Sequence, residues 1–485
     1  MTRDLREWIA LLEREGELVR VGAEVDPYLE ITEIVDRVVR DGGPALLFER
    51  PKGSELPLLI NQFGTERRMC LAFGVRSLDE LGARVGEILE LQPPEGLAAK
   101  VRGLKTLKSI ADSRPRTVRS GACQQIVLRG DEVDLGRLPV QTCWPGDGGP
   151  FITLPAVITR DPRNGQRNVG MYRLQVLDAR STAMHWQIHK DGRADYLFSD
   201  GRLEVAVALG LDPISAYSAS APLPKHIDEF MVAGFLRGEP VDMVKGVTVD
   251  LEVPAHAEIV LEGYVEQGDL TDEGPFGDHT GFYTPVEQFP VFHVTALTMR
   301  RDAVYPSIVV GKPPQEDAWL GKATERIFLP AVRMTVPEIV DYDLPVAGAF
   351  HNLCIVSIRK AFPGHARKVM NAIWGLGMLS LTKGVVVVDE HVDVHDYAQV
   401  MFYVGANVDP KRDVVITEGP LDHLDHAPAL QFVGGKIGID ATAKGPLEGT
   451  REWPPEIEMD VAIKELVDRR WSEYGVGTVL AAAKK

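Results

Sequence analysis

Residues 152–177 read ITLPAVITRDPRNGQRNVGMYRLQVL. Two runs of strand-forming residues, 152–159 and 168–177, flank Asp161-Pro162-Arg163-Asn164-Gly165, whose residue types close tight turns, so the stretch predicts a β-hairpin. Working outward, the texture continues in 124–128 (QQIVL), 203–209 (LEVAVAL), 257–264 (AEIVLEGY) and 291–298 (VFHVTALT), separated by Gly, Pro, Asn and Asp. Many short strands at this spacing predict a barrel or sandwich-like middle unit. One helix interrupts it at 228–237 and ends at Gly238.

The flanks read differently. Leu5, Trp8, Ile9 and Leu12, and then Ile31, Ile34, Val35 and Val38, recur at helical spacing, with strands at 45–48 and 57–60. Ser77 and Glu80 form a capping-box pattern that opens a helix through Leu91. Beyond the middle unit, helix is expected over 316–333 and 362–373, buried strands over 353–358 and 384–388, and a terminal helix over 461–471. The 485 residues are about three domain lengths. The expected division is an α/β unit at 1–115, the β unit at 116–312, a second α/β unit at 313–455, and an oligomerisation helix with its tail at 456–485.

Hydrophobic residues at 45% and charged residues at 25% are ordinary for a globular chain. A net charge of −17 repels nucleic acid and anionic membranes. The basic stretch 100–119 lacks interleaved aromatics and reads as a connector or subunit contact. Cys70, Cys123, Cys143 and Cys354 are scattered, and the N-terminus has no signal-peptide core, so a reducing cytoplasm is expected.

Two constellations carry chemistry. The first runs Asn168-Val-Gly-Met171-Tyr172-Arg173, then Met184-His185-Trp186-Gln187-Ile188-His189-Lys190-Asp191. Strand alternation puts His185, Gln187 and His189 on one face, and sets Asn168 and Arg173 on opposite faces unless Gly170 marks a bulge. The second is Asp269 with Asp272-Glu273-Gly-Pro-Phe276-Gly-Asp278-His-Thr-Gly281, where crowded carboxylates raise at least one pKa toward proton-shuttling range. Taken alone, both also fit wet strands and an acidic surface turn. The clusters Asp389-Glu390-His391 with His395, and Asp422-His423 with Asp425-His426, read as polar loops rather than zinc sites. Gly434-Gly435-Lys436 lacks the strand and helix of a P-loop.

With those residues in hand, the chain resembles the UbiD family of decarboxylases over nearly its full length. The likeness rests on Asn168 to Arg173 with Gln175, on His185 to Lys190, on Asp228-Glu229 leading to Ala233-Gly234-Phe-Leu-Arg-Gly238, and on Glu273 to Gly281. The tail, Gly438-Ile-Asp440-Ala-Thr442 to Arg451-Glu-Trp453, looks like the quinone-pathway branch.

The resemblance implies a central split β-barrel that holds prenylated FMN, with α/β units on either side. It implies a phosphate bound through Mn²⁺ or Mg²⁺, with K⁺ nearby. Carried over by position, the metal ligands are Asn168, His185 and Glu229; the cofactor segment adds Met171, Tyr172, Arg173, Trp186, Gln187, Lys190 and Asp191; and the catalytic set is Arg173, Glu273 and Asp278. Phe276, Leu320 and Phe432 are expected to wall the substrate. The implied reaction is decarboxylation of an aromatic or α,β-unsaturated acid, foremost a 4-hydroxy-3-polyprenylbenzoate, with a naphthoate or a catabolic aromatic acid as alternatives. A flavin prenyltransferase would supply the cofactor. A homodimer or homohexamer is implied, as is a route to the membrane edge for a greasy substrate. A flavin oxidoreductase and a non-catalytic flavin-binding subunit are the competing classes.

Overall fold

The computed structural model describes residues 1–89, 112–188, 190–224, 227–448 and 451–476. His189, residues 100–111 of the basic stretch and the expected helix end at Leu91 lie outside them.

The N-terminal unit is a four-stranded sheet. β1 (Leu18–Val25) runs parallel to β2 (Ala45–Pro51), which pairs antiparallel with β3 (Leu58–Ile60). Helices Leu5–Arg14 and Glu30–Arg40 pack their apolar stripes on it, burying Leu5, Trp8, Ile9 and Leu12 from the first.

The next strands are β4 (Arg116–Thr117), β5 (Ile126–Arg129), β6 (Phe151–Ile152), β7 (Ala156–Arg160), β8 (Arg167–Gly170), β9 (Leu174–Val176), β10 (Ser181–Met184) and β11 (Arg202–Leu209). There follow β12 (Asp242–Lys245), β13 (Glu252–Pro254), the long β14 (Ile259–Glu273), β15 (Phe276–Gly277), β16 (Tyr283–Thr284), the long β17 (Glu287–Met299) and β18 (Tyr305–Pro306). The central sheet runs β6-β9-β10-β17-β14-β11-β7-β8, with β5 also on β17, and curves into a half-barrel. β18 leaves it to pair with β3, so the first and middle units share a sheet.

The opening hairpin forms as expected: β7 and β8 pair through Arg160 and Arg167, and Asp161 caps the turn by accepting from the Arg163 amide at 2.9 Å. Three strand expectations do not hold. The run 152–159 is not one strand but divides into β6 and β7. The run 168–177 is not one strand, because it breaks at Met171–Arg173 into β8 and β9, which pair with β7 and β6 respectively. Tyr172 causes the break to close tightly, since its ring folds back over Gly170 where a Cβ would sit 2.1 Å from it. Strand β10 also ends at Met184, so His185 and Trp186 are both buried instead of alternating.

The C-terminal sheet contains β19 (Ile339–Asp343), β20 (Leu353–Ile358), β21 (Gly384–Asp389), β22 (Val414–Pro420) and β23 (Val433–Asp440), in the order β19-β20-β21-β23-β22. Separate cores cover its faces, one under helices Asp317–Thr335 and His365–Trp374 and the other under Tyr397–Asn407. Helix Asp317–Thr335 is rooted in two cores: Leu320, Ala323 and Ile327 join the N-terminal and barrel core, while Leu329 and Val332 join the C-terminal one. Among the described residues no helix is long and apolar enough to cross a membrane.

Candidate functional site

Strands β14 and β17 form a long hairpin whose last pair is Glu273 opposite Glu287. Its tip carries Asp278 and folds on itself through β15 and β16. Asp147, from the turn Pro145-Gly-Asp-Gly-Gly-Pro150, pins the tip by accepting from the Gly277 amide at 2.8 Å. Gln175 on β9 clamps its other end, accepting from the Gly274 amide at 2.8 Å and donating to the Gly148 carbonyl at 2.9 Å.

The break after β8 aims Arg173 into this tip. Its Nε and Nη2 donate to the two oxygens of Glu273 at 2.7 and 3.1 Å, its Nη1 donates to Asp278 Oδ2 at 2.5 Å, and its Nη2 donates to Thr284 at 3.2 Å. Four of the five guanidinium N–H groups are thus engaged, and one on Nη1 has no partner among the described residues. The guanidinium lies 4.4 Å over the Phe276 ring. Burial alone would raise both acids, but hydrogen bonds from His185 and Arg173 bring Glu273 down to about 2, and His279 with Arg173 holds Asp278 well below the carboxylate range. Burial lowers His185, and the neighbouring Arg173 charge adds to that. The crowded acids therefore do not rise as the sequence suggested; hydrogen bonds from His185 and His279, together with the Arg173 charge, outweigh burial and turn the shift downward.

The remaining expected residues form a second patch. Asp228 caps helix Glu229–Arg237 by accepting from the Phe230 and Met231 amides, which sets Glu229 at the helix start. Glu229 accepts from the Val169 amide at 3.0 Å and so lies beside Asn168, whose amide donates to Thr159 at 3.1 Å. Burial pushes Glu229 up to about 8, and the charged neighbours acting on it are the acids Asp228 and Asp191. The Tyr172 hydroxyl is bonded to the Asn168 side chain and the Gly192 amide. Trp186 packs edge-on to Tyr172 at 6.5 Å and touches Gly192. Lys190 precedes helix Asp191–Phe198, and burial lowers its pKa. Met171 packs on the first core and Gln187 is half-buried.

His185 stands apart from Asn168 and Glu229 in its bonding: Nδ1 lies 3.2 Å from Glu273 Oε2, and the buried Nε2 has no partner among the described residues. A half-buried acid with acidic neighbours, an amide side chain and an unpartnered imidazole nitrogen are donor types that a hard divalent cation accepts. Among the described residues, the acids and histidine whose ligand atoms come close to one another are elsewhere: Glu325, Asp343 and His395. There Lys322 already bonds Glu325 and Asp343, and Arg326 bonds Asp341, so cations of the chain itself hold the acids.

Several residues that meet the tip had no catalytic or cofactor role assigned from the sequence. His279 contacts Asp278 and His351, and Asp317 lies near it. His423 is 2.8 Å from Glu287, Phe432 stacks on it at 5.1 Å, and His426 stacks on Phe282 at 3.8 Å, so the DHLDH loop borders the hairpin tip. Leu320 is buried in the first core, whereas Phe276 lies beneath Arg173. Lys436 is buried on the carbonyls of Ser380 and Thr382, a structural use of the Gly-Gly-Lys run.

Profiles of the 3-octaprenyl-4-hydroxybenzoate carboxy-lyase (UbiD) family match the chain in three consecutive pieces: the N-terminal domain over residues 9–85, the Rift-related domain over 116–313 and the C-terminal domain over 318–441. The chain belongs to the UbiD family. It is a carboxy-lyase of that class, and the half-barrel is its UbiD flavin-binding domain. An uncharacterized protein of Archaeoglobus fulgidus is 54% identical over 97% of this chain and 98% of its own. The UbiD-class enzyme HmfF of Pelotomaculum thermopropionicum, solved in complex with FMN, is 32% identical, with a TM-score of 0.79 over 95% of this chain and 99% of that one. The vanillic acid decarboxylase of Sedimentibacter hydroxybenzoicus in closed form is 26% identical, with a TM-score of 0.86 over 98% and 99%.

Proposed function

We propose that this UbiD protein decarboxylates a hydroxylated aromatic acid at prenylated FMN, with a 4-hydroxy-3-polyprenylbenzoate of quinone biosynthesis as the first candidate substrate. The observation that carries the reading is Arg173 buried between Glu273 and Asp278, with Phe276 flat beneath it. The likeness to a vanillic acid decarboxylase supports a phenolic ring.

Arg173 keeps both acids ionised, and its spare Nη1–H is offered to a substrate carboxylate. Phe276 supplies a flat apolar wall, and the flanking Phe432 and Phe282 help to exclude water. Asp278 hands a proton to the carbon that has lost CO₂. Prenylated FMN, when bound, supplies the electron sink for the pair that CO₂ leaves behind. Asn168, Glu229 and His185 would hold Mn²⁺ or Mg²⁺ against its phosphate, with K⁺ close by. Met171, Tyr172, Trp186, Gln187, Lys190 and Asp191 would line its seat. A flavin prenyltransferase supplies the cofactor in this reading.

The division at 1–115, 116–312, 313–455 and 456–485 belongs to the same reading, as does a homodimer or homohexamer joined by the terminal helix. Ile457, Met459, Val461, Ile463, Leu466 and Trp471 on that arm are all exposed, which supports the assembly.

Co-expression with a flavin prenyltransferase tests the whole. The expected result is CO₂ release from phenolic acids by the wild type, with metal and flavin content falling together in Glu229→Ala. Unmodified FMN with NAD(P)H turnover and no CO₂ would overturn it.

A further inference from the structure

Asp278 is poised to give a proton it does not have. Its Oδ2 is held by Arg173 and its Oδ1 lies 2.8 Å from both the backbone N and the side-chain Nδ1 of His279, so every contact favours the carboxylate over the acid. Releasing CO₂ from a carboxylate and ending with a C–H bond consumes one proton per turnover, and that proton must be stored within reach of Asp278.

His279 is placed to store it. Its Nε2 lies 2.6 Å from Nε2 of His351, a residue of the C-terminal unit. Two ring nitrogens that close must share one hydrogen. With Nδ1–H directed at Asp278 and Nε2–H directed at His351, His279 carries both protons as an imidazolium and His351 is the neutral acceptor. The buried Nδ1 of His351 has no partner among the described residues, which fits a neutral ring whose only bonded nitrogen is Nε2. His351 does not reach this position in a relaxed loop. Ala349 and Phe350 before it both adopt left-handed backbone, at φ 54° and 40°, and the Phe350 ring lies tilted against the His279 ring at 5.0 Å. Strained non-glycine backbone persists where surrounding contacts hold it, and here they hold it against His279.

We propose that His279 is the proton store of the reaction, acting through Asp278, and that His351 is a positioning residue that stabilises the charged ring when the C-terminal unit sits against the barrel. This rests on the reading of Asp278 as donor. The step moves protons alone: Nδ1–H passes to Asp278 as Asp278 protonates the substrate carbon that has lost CO₂, His279 is left neutral with its Nε2–H on His351, and water recharges it between turnovers. The charged groups that act on the ring come from several elements. Asp278 lies on its own loop, Asp317 at the start of helix Asp317–Thr335 and Asp422 on the loop after β22, while Arg173 binds the other oxygen of Asp278. Asp422 and Asp425 face His351, and Lys312 packs on Gly281. Burial opposes the charge on His279, yet Asp278 raises its pKa, whereas burial and the charge of His279 lower His351 to about 4.

The test is ¹⁵N-histidine NMR of the full-length protein together with deuterium exchange into the decarboxylated product by the loaded enzyme. His279→Asn keeps an amide N–H toward Asp278 but stores no proton. The expected results are a doubly protonated imidazole at pH 7 that disappears in His279→Asn, and a titration shifted to lower pH in His351→Gln. Product exchange should fall at least tenfold in His279→Asn and lose its high-pH limb, with flavin content and KM unchanged. A neutral His279 at pH 7, or wild-type exchange and pH profile in His279→Asn, would overturn the proton store alone. A wild type that releases no CO₂ from any acid while His279 is protonated would instead overturn the decarboxylase reading beneath it.

Discussion

Arg173 is the residue on which two buried acids depend. Removing one partner of a buried ion pair costs about 3–5 kcal/mol because the other charge is left uncompensated, and here two would be. Arg173→Ala should therefore unfold at clearly lower urea concentration than wild type at pH 7 and release no CO₂. An unchanged midpoint would show that the acids had found another cation. The pH sense follows from the depressed acid. Glu273 titrates near 2 when folded and near 4.5 when unfolded, so its contribution is present above the unfolded value and is lost as pH falls toward 2. At this scale the sequence was partly legible. Arg173, Glu273 and Asp278 stood inside dense motifs, and the structure brings all three into contact. Asp147, His351 and Asp317 are single polar residues distant in sequence from the tip they surround, and only tertiary packing joins them.

At the scale of elements, strands buried on both faces were the most readable, because continuous β-branched runs such as 353–358 and 384–388 admit little else; they are β20 and β21. The break at Met171–Arg173 was not readable from periodicity, since it arises from a ring folding onto a glycine, and the crossing of β18 into the N-terminal sheet is a pairing of short strands remote in sequence. The loop after β21 was read as polar and unremarkable, yet its His395 ties helix and sheet together, with Nδ1 3.0 Å from Asp343 and Nε2 3.2 Å from Asp341. Those bonds raise His395 to about 10. Its stabilisation is therefore complete below the unfolded value near 6.5 and disappears as pH passes the folded one. His395→Gln should lower the thermal midpoint at pH 6, by the equivalent of about 1 kcal/mol for so exposed a side chain, with the difference vanishing only above pH 10. A difference independent of pH would assign the effect to packing instead.

For the whole molecule, the terminal arm is the feature that a single copy leaves unsatisfied. Helix Val461–Arg470 is only ten residues long and buries none of them. Helices that short are marginal in water without a packing partner. Ile463→Glu with Leu466→Glu should at least halve the mass in light scattering while leaving the fold intact by circular dichroism; an unchanged mass would place the assembly contact elsewhere. The division into units read from the sequence also conceals how they are held together. The first core gathers Leu5 and Leu81, barrel residues such as Ala206, and Leu320 through Ile327 of the helix that continues into the C-terminal unit. During synthesis, helix Leu5–Arg14 emerges early, but the core it belongs to is complete only when Ile327 has left the ribosome. At about 5–20 residues per second, the wait from Leu81 to Ile327 lasts roughly 10–50 s. Throughout it the first core lacks the apolar residues that the barrel and helix Asp317–Thr335 contribute, so the N-terminal unit reaches its final packing only after two thirds of the chain has been made.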